Sequence, residues 1–164
     1  MQLKCILNRY AALIAIAASF PAFASDGIEP LSKGQTVYVP VYSHIWHGDI
    51  GQSGKASSEL VSVLIGVRNT DPKNSIRVIS APYFSTAGTL IADYLPISRI
   101  VGPFATLELF VERRESDGGS GANFAIRWDA STPVPPPIIE ALHTTVYPGR
   151  TLSFISRGKP ISSP

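Results

Sequence analysis

Cysteine is almost absent from this chain of 164 residues, and Cys5, the one that is present, lies near the N-terminus. The segment around it is typical of a secretory signal peptide, so we expect the exported protein to contain no cysteine. A domain without cysteine has no disulfide, no thiol nucleophile and no cysteine-bound zinc. Its stability must then come from a hydrophobic core, and about 140 residues are enough to bury one.

Residues 1–24 combine a basic start, a short apolar run at 10–18 and small residues at the end. This pattern predicts a signal peptide that is cleaved between Ala24 and Ser25. The run is shorter than the roughly 20 apolar residues that a bilayer-spanning helix needs, which disfavours a permanent anchor. We therefore predict a periplasmic or extracellular protein with a single domain at 25–164 and no integral membrane span after cleavage.

The exported chain also lacks an excess of charge of either sign. Of the 14 basic residues, Lys4 and Arg9 belong to the signal segment, which leaves 12 against 12 acidic residues. A protein that binds nucleic acid needs a concentrated basic face. The balanced charge therefore argues against nucleic acid as a partner.

Long helical periodicity is missing too, and short runs with β-type alternation take its place. Residues 35–43 alternate and put Val37 and Val39 on one face, whereas 60–68 form an almost continuous β-branched run typical of a central strand. Pro40 has no amide hydrogen to donate, which predicts that its strand lies at an edge or contains a bulge.

Further strand-like runs follow towards the C-terminus, separated by turn residues and by a stiff connector at 133–137. The runs are 76–80, 82–84, 89–95, 104–112, 122–128, 138–146 and 151–156. Eight or so short strands at this spacing predict an all-β antiparallel β-sandwich with an immunoglobulin-like or related Greek-key layout. The mixed loop lengths suit Greek-key crossovers better than an up-and-down arrangement.

The stretch 43–49, Ser-His-Ile-Trp-His-Gly-Asp, carries the most chemically versatile side chains of the sequence. His44 and His47 are potential metal ligands, and Asp49 could add an oxygen donor. Residues three apart in a strand point to opposite faces and lie about 10 Å apart, so these two could share an ion only if a turn intervened. His143 is the third imidazole, and the sequence does not place it relative to the other two.

Alternation puts an aromatic stripe, formed by Tyr38, Tyr42, His44 and Trp46, on one face of this region. Such a stripe is either a binding groove or ordinary packing between sheets, and packing is the more common outcome. The residues assigned to a binding site are Tyr42, His44, Trp46, His47 and Asp49.

A glycine-rich loop at 115–123 separates two strongly alternating runs. Its backbone N–H groups could form an anion-binding nest around Asp117, Ser120 and Gly121, and its carboxylates could contribute to a calcium site. A long hairpin loop that uses glycine for positive φ explains the same residues. It is neither a P-loop nor a nucleophile elbow, because no Gly-Lys-Ser/Thr follows and Ala122 replaces the last glycine of the elbow.

Four segments resemble one bacterial family, and in this sequence they read "LSKGQTVYVPVYSHIWHGD" (31–49), "IGVRNTDPKNSI" (65–76), "GGSGANFAIRW" (118–128) and "ISRGKPI" (155–161). The chain is similar to the domain-of-unknown-function family 3124 from about Leu31 to Ile161. Members often carry Tyr where this chain has Trp46, which keeps the position aromatic. The resemblance implies no activity and no site residues, since the family has none assigned.

Export, balanced charge, the absence of a recognisable catalytic motif and a strand edge at Pro40 together predict a non-enzymatic binding or assembly module of the bacterial envelope. Its partner would be an unknown envelope protein or ligand, and we expect no cofactor. The alternative is a small periplasmic metal-binding protein that uses His44 and His47, joined by His143 or Asp49.

Overall fold

The computed structural model describes residues 29–162, which form thirteen β-strands and no helix. In chain order the strands are β1 (Ser32–Pro40), β2 (His44–His47), β3 (Ser57–Leu60), β4 (Ser62–Arg68), β5 (Ile76–Ser80), β6 (Pro82–Phe84), β7 (Leu90–Asp93), β8 (Arg99–Val101), β9 (Thr106–Val111), β10 (Asn123–Val134), β11 (Ile138–Tyr147), β12 (Arg150–Arg157) and β13 (Lys159–Ser162). The signal peptide predicted for 1–24 lies outside the described residues. Within 29–162 no helix has the length and apolar character needed to cross a membrane.

Two main sheets form an antiparallel β-sandwich. The larger sheet has the order β13-β1-β10-β5-β8, with β6 alongside β10 and β7 alongside β6, and the smaller sheet has the order β12-β11-β4-β9. Strands β2 and β3 pair only with each other and form a separate ribbon, which we call the arm. The predicted fold class is confirmed. The strands outnumber the predicted eight because several have only three or four residues, too few to show alternation.

Strands β10 and β4 supply the middle of the core. Phe124, Ile126 and Trp128 are buried on β10, and Ile65 and Val67 are buried on β4, as the alternation and the β-branched run predicted. Strand β4 lies between β11 and β9, which confirms it as a central strand. Burying each of these large apolar side chains stabilises the fold by about 1.5–3 kcal/mol relative to exposure.

Strand β1 is not a free edge, so the first of the two alternatives predicted from Pro40 is wrong. The second alternative, a bulge, has a counterpart in the register shifts of β1 within residues 32–37, away from Pro40 itself. Strand β13 pairs with β1 and places Lys159 opposite Tyr38, so β1 lies inside the larger sheet. Pro40 comes after the last residue that pairs with β13, and its carbonyl accepts a hydrogen bond from the Ser156 hydroxyl. Proline is tolerated there because its missing amide hydrogen falls beyond the end of the β1–β13 ladder.

Two of the places where the chain crosses between the sheets are residues 135–137 and Gly158. The first crossover is shorter than the predicted connector, because β10 continues to Val134, which pairs with Ser32. At the second, Gly158 donates its N–H to the Ile139 carbonyl at 2.8 Å. A Cβ on Gly158 would come within 2.6 Å of Val37 Cγ1, so the close approach of the two sheets requires glycine here.

Asn69 organises the turn that follows β4. Its side-chain amide nitrogen lies 2.9 Å from the Asn74 carbonyl, 3.1 Å from that of Val101 and 2.9 Å from that of Gly102. Its side-chain oxygen accepts the N–H of Asp71 at 3.0 Å. The Asn69 side chain therefore also fixes the connection between β8 and β9, which joins the two sheets at their edge.

His143 on β11 is a buried polar residue within the core. Its Nε2 accepts the backbone N–H of Tyr42 at 3.1 Å, so the neutral ring carries its proton on Nδ1. Its ring stacks on Phe154 with the centroids 4.4 Å apart, and Tyr42 contacts it edge-on at 5.4 Å. Burial disfavours the charged imidazolium and lowers the pKa of His143 to about 4.

Replacing Gly158 by alanine should lower the free energy of unfolding by about 1–3 kcal/mol, because the new methyl group overpacks the core against Val37. Urea unfolding followed by circular dichroism measures the change. Gly102→Ala is the matched control, since no atom lies within 4 Å of its Cβ position. Equal effects of the two substitutions would contradict the steric explanation.

Acidification should destabilise the protein through His143. The unfolded chain takes up a proton near the ordinary pKa of 6.5, whereas the folded state resists protonation down to about 4. The unfolded state therefore binds more protons in this interval, and stability is complete above pH 6.5 and declines below it, by about 2 kcal/mol at about pH 4.5. Urea unfolding at a series of pH values measures the decline.

The variant His143→Gln keeps an acceptor for the Tyr42 N–H but does not titrate. It should be less stable than the native protein at neutral pH and should lose less stability between about pH 6.5 and 4.5. A decline of the same size in both proteins would assign the pH dependence to other groups.

Candidate ligand-binding groove

The arm contains both histidines of the stretch 43–49. Strand β2 begins at His44 and ends at His47, and Gly48 starts the following turn with a φ of 72°. In the arm Ile45 lies opposite Glu59 and His47 lies opposite Ser57. Alternation sends the two imidazoles to opposite faces of the ribbon, and Asp49 is exposed beyond the end of the strand.

The aromatic stripe predicted from the sequence is divided into two separate contacts. The ring of Tyr42 packs edge-on against His143 and Phe154, at 5.4 Å and 5.7 Å, and closes one end of the core. The rings of His44 and Trp46 contact each other at 4.9 Å and 90° on the arm. The chain leaves β1 at Pro40, which breaks the alternation that the stripe assumed, so these residues do not form one platform.

The three imidazoles do not form a metal centre. His143 Nε2 already accepts the Tyr42 N–H, and His44 Nδ1 lies 3.4 Å from the Ser43 hydroxyl. Across residues 29–162 no group of three or more His, Cys, Asp or Glu side chains is placed to hold a metal ion. The geometry gives no support to the alternative function of a metal-binding protein.

Amide groups of the glycine-rich loop donate hydrogen bonds within the loop and to Thr86. Gly118 donates its N–H to the Glu115 carboxylate at 3.0 Å, and Gly121 donates to the Thr86 hydroxyl at 2.9 Å. Glu115 also accepts the hydroxyl of buried Tyr83 at 2.6 Å, and burial together with this hydrogen bond raises the pKa of Tyr83. The N–H groups of Gly118 and Gly121 are therefore not free to bind an anion.

Of the residues assigned to the anion nest, Asp117 and Gly121 are exposed and Ser120 is half-buried. The carbonyl of the neighbouring Gly119 accepts both the N–H and the hydroxyl of Ser43, at 3.1 Å and 3.2 Å. The glycine-rich loop thus holds the base of the arm. The structure brings together the stretch 43–49 and the loop 115–123, which the sequence analysis treated as separate candidate sites.

A solvent-open groove of about 440 Å³ separates the arm from the β11–β12 hairpin. We call it the Tyr147 groove, and its lining residues are Ile45, His47, Glu59, Thr145, Tyr147, Arg150, Thr151 and Leu152. Most of the lining surface is apolar. His47 is the member of the predicted binding set that lies in it.

Two guanidinium groups lie against Tyr147. Arg113 Cζ is 4.8 Å and Arg150 Cζ is 5.1 Å from the centroid of its ring, within the range of cation–π attraction. The Tyr147 hydroxyl donates to the Glu59 carboxylate, which Arg113 also contacts at 3.2 Å and Arg150 at 3.8 Å. These donors, Tyr147 foremost, lower the pKa of Glu59. With two cations and one carboxylate, the cluster carries a net positive charge.

Sequence reasoning missed Glu59, Tyr147 and Arg150, because only the packing of the arm beside the β11–β12 hairpin brings Glu59 to the other two. One local signal was available in Pro148-Gly149, where Gly149 adopts a φ of 80°. Proline followed by a glycine with positive φ forms a two-residue turn. That turn places Tyr147 directly opposite Arg150 at the end of the hairpin.

Comparison with known proteins gives a family but no activity. No curated protein matches the chain. A crystal structure described as "Thermotoga maritima 1070" shares 10% identity over 76% of this chain and 92% of that chain, with a TM-score of 0.43. The profile of the family described as "Protein of unknown function (DUF3124)" matches residues 34–161, which extend from β1 to β13. The chain therefore belongs to the DUF3124 family, as its four motifs predicted.

Proposed function

We propose that this protein is a non-enzymatic binding module of the bacterial envelope and that the Tyr147 groove is its binding site. One observation carries the proposal. An exposed guanidinium, that of Arg150, rests on the Tyr147 ring at the side of a groove whose surface is mostly apolar. The signal segment predicted at 1–24 is the reason to look for the ligand in the envelope.

The groove favours a ligand that carries an anionic group beside an aliphatic one. The Arg150 side chain is 75% exposed and its nearest Glu59 oxygen is 3.8 Å away, so its planar guanidinium can bind a carboxylate through two hydrogen bonds. Ile45 and Leu152 supply apolar surface beside it. An extended peptide segment with Asp or Glu next to Leu, Ile or Val has this chemistry.

The state of two acid–base groups near the groove, Glu59 and His143, supports binding rather than catalysis. Glu59 accepts hydrogen bonds from Tyr147 and Arg113 and is held as a carboxylate. His143 is buried, and its Nε2 accepts a backbone N–H. A general base needs a lone pair that can reach a substrate proton, and Glu59 Oε1 and His143 Nε2 already accept hydrogen bonds from within the fold.

The native protein should enrich acidic-aliphatic sequences from a phage-displayed library of random short peptides. Arg150→Glu should weaken the binding of an enriched peptide by at least about tenfold in Kd, because it reverses the charge that faces the ligand carboxylate. Leu152→Asp should weaken it as well, since it adds a charge to the apolar wall. Isothermal titration calorimetry measures both effects.

Arg99→Glu is the matched control, because it makes the same charge change on β8 of the other sheet, where Arg99 is exposed. This variant should bind the peptide as the native protein does. Equal losses for Arg150→Glu and Arg99→Glu, or a library without acidic enrichment, would count against the groove as the binding site. Thermal unfolding of each variant shows that the fold is retained.

A further inference from the structure

The outer face of the smaller sheet carries a row of apolar side chains, one from each strand. Ile155, Leu142, Leu64 and Phe110 lie opposite one another across β12, β11, β4 and β9. Ile155 and Phe110 are 56% and 55% exposed, and Leu142 is 38% exposed. Single exposed apolar residues are ordinary, whereas a contiguous row across a sheet marks an interaction surface.

A row of charges runs beside the apolar row. Arg157 lies opposite Glu140, Glu140 opposite Gly66, and Gly66 opposite Glu108. The guanidinium of Arg68 covers Gly66, with Nε 3.6 Å from the position of a Cβ there and 3.3 Å from Glu140. From β12 to β9 the charges are therefore positive, negative, positive and negative.

We infer that this face binds the same face of a second copy of the chain, about a two-fold axis that runs parallel to the strands between β11 and β4. This operation reverses the strand order, so β12 of one copy lies over β9 of the other. Ile155 then packs on Phe110 of the second copy, and Leu142 packs on Leu64. Aligned strands in facing sheets are the usual geometry of β-sandwich packing.

The charge row decides the direction of the axis. Reversing an alternating row of four charges brings every charge over its opposite, so Arg157 meets Glu108 and Arg68 meets Glu140 of the second copy. An axis at right angles to the strands would instead bring the charges over the hydroxyl row on the other side, which includes Ser62, Ser153 and Thr144. Charges that are buried without opposite partners are costly, so the first arrangement is favoured.

The size of the face sets the strength of the contact. Four strands about 4.8 Å apart and about seven residues long present roughly 400 Å² per copy, about half of a standard interface. We therefore expect a weak, concentration-dependent dimer. The groove stays accessible in it, because Thr145 and Leu152 alternate with the outer residues of β11 and β12 and lie on the other face.

Analytical ultracentrifugation of the exported protein, up to about 1 mM because the interface is small, tests the inference. The native protein should sediment as a monomer–dimer equilibrium. Phe110→Asp should abolish the dimer, whereas Leu90→Asp, at an exposed position on β7 of the other sheet, should leave it unchanged. A native protein that stays monomeric at every concentration, or a dimer that survives Phe110→Asp, would overturn the inference.

A charge-swap experiment tests the direction of the axis. Glu108→Arg and Arg157→Glu should each weaken the dimer by at least about tenfold, because each brings two like charges together. The double variant should regain dimerisation relative to either single variant, since the pairs are restored in reversed order. Failure of the double variant to recover, with its fold intact by thermal unfolding, would exclude this arrangement.

Discussion

The burial of the inner faces of β10 and β4 in one core is the constraint on which the rest of the structure depends. In a strand every second residue faces the same way, so burial of Phe124 and Ile126 on one side and of Ile65 on the other fixes the outward position of every neighbour. The apolar row and the charge row on the outer face of the smaller sheet follow from which residues face the core. A slip of one residue in β4 would bury Leu64 and expose Ile65, and both rows would be lost.

The features that were predictable from the sequence are those encoded by a local pattern within one segment of the chain. The alternation in β10 and the β-branched run in β4 are local patterns, and the structure confirms both. The edge position inferred from Pro40 failed because the strand that covers β1 comes from the far end of the chain. Glu59 and Tyr147 also belong to distant segments, and the contact between them depends on the packing of the arm beside the β11–β12 hairpin, which no local pattern encodes.

The side chains that the sequence analysis considered for metal or ligand binding mainly make contacts that stabilise the fold. Ser43 binds the Gly119 carbonyl, Glu115 binds Tyr83, and His143 accepts the N–H of Tyr42. The residue type shows which chemistry a side chain is capable of, whereas the face of the strand on which it lies determines which residues it contacts. His47 is the clearest example, because alternation places it in the Tyr147 groove while His44, three residues earlier, contacts Trp46.

The two walls of the Tyr147 groove, the arm and the β11–β12 hairpin, differ in stability. The β11–β12 hairpin continues the core sheet, whereas the arm is a two-stranded ribbon of four-residue strands. Backbone hydrogen bonds of Ser43 hold the arm at its base, and the side chain of Glu59 ties it to the hairpin through Tyr147. Such ribbons are marginal by themselves and open at a lower free energy than the core. Occupancy of the groove would therefore be coupled to the local folding equilibrium of the arm, and a bound ligand would slow amide hydrogen exchange there before it affected the core.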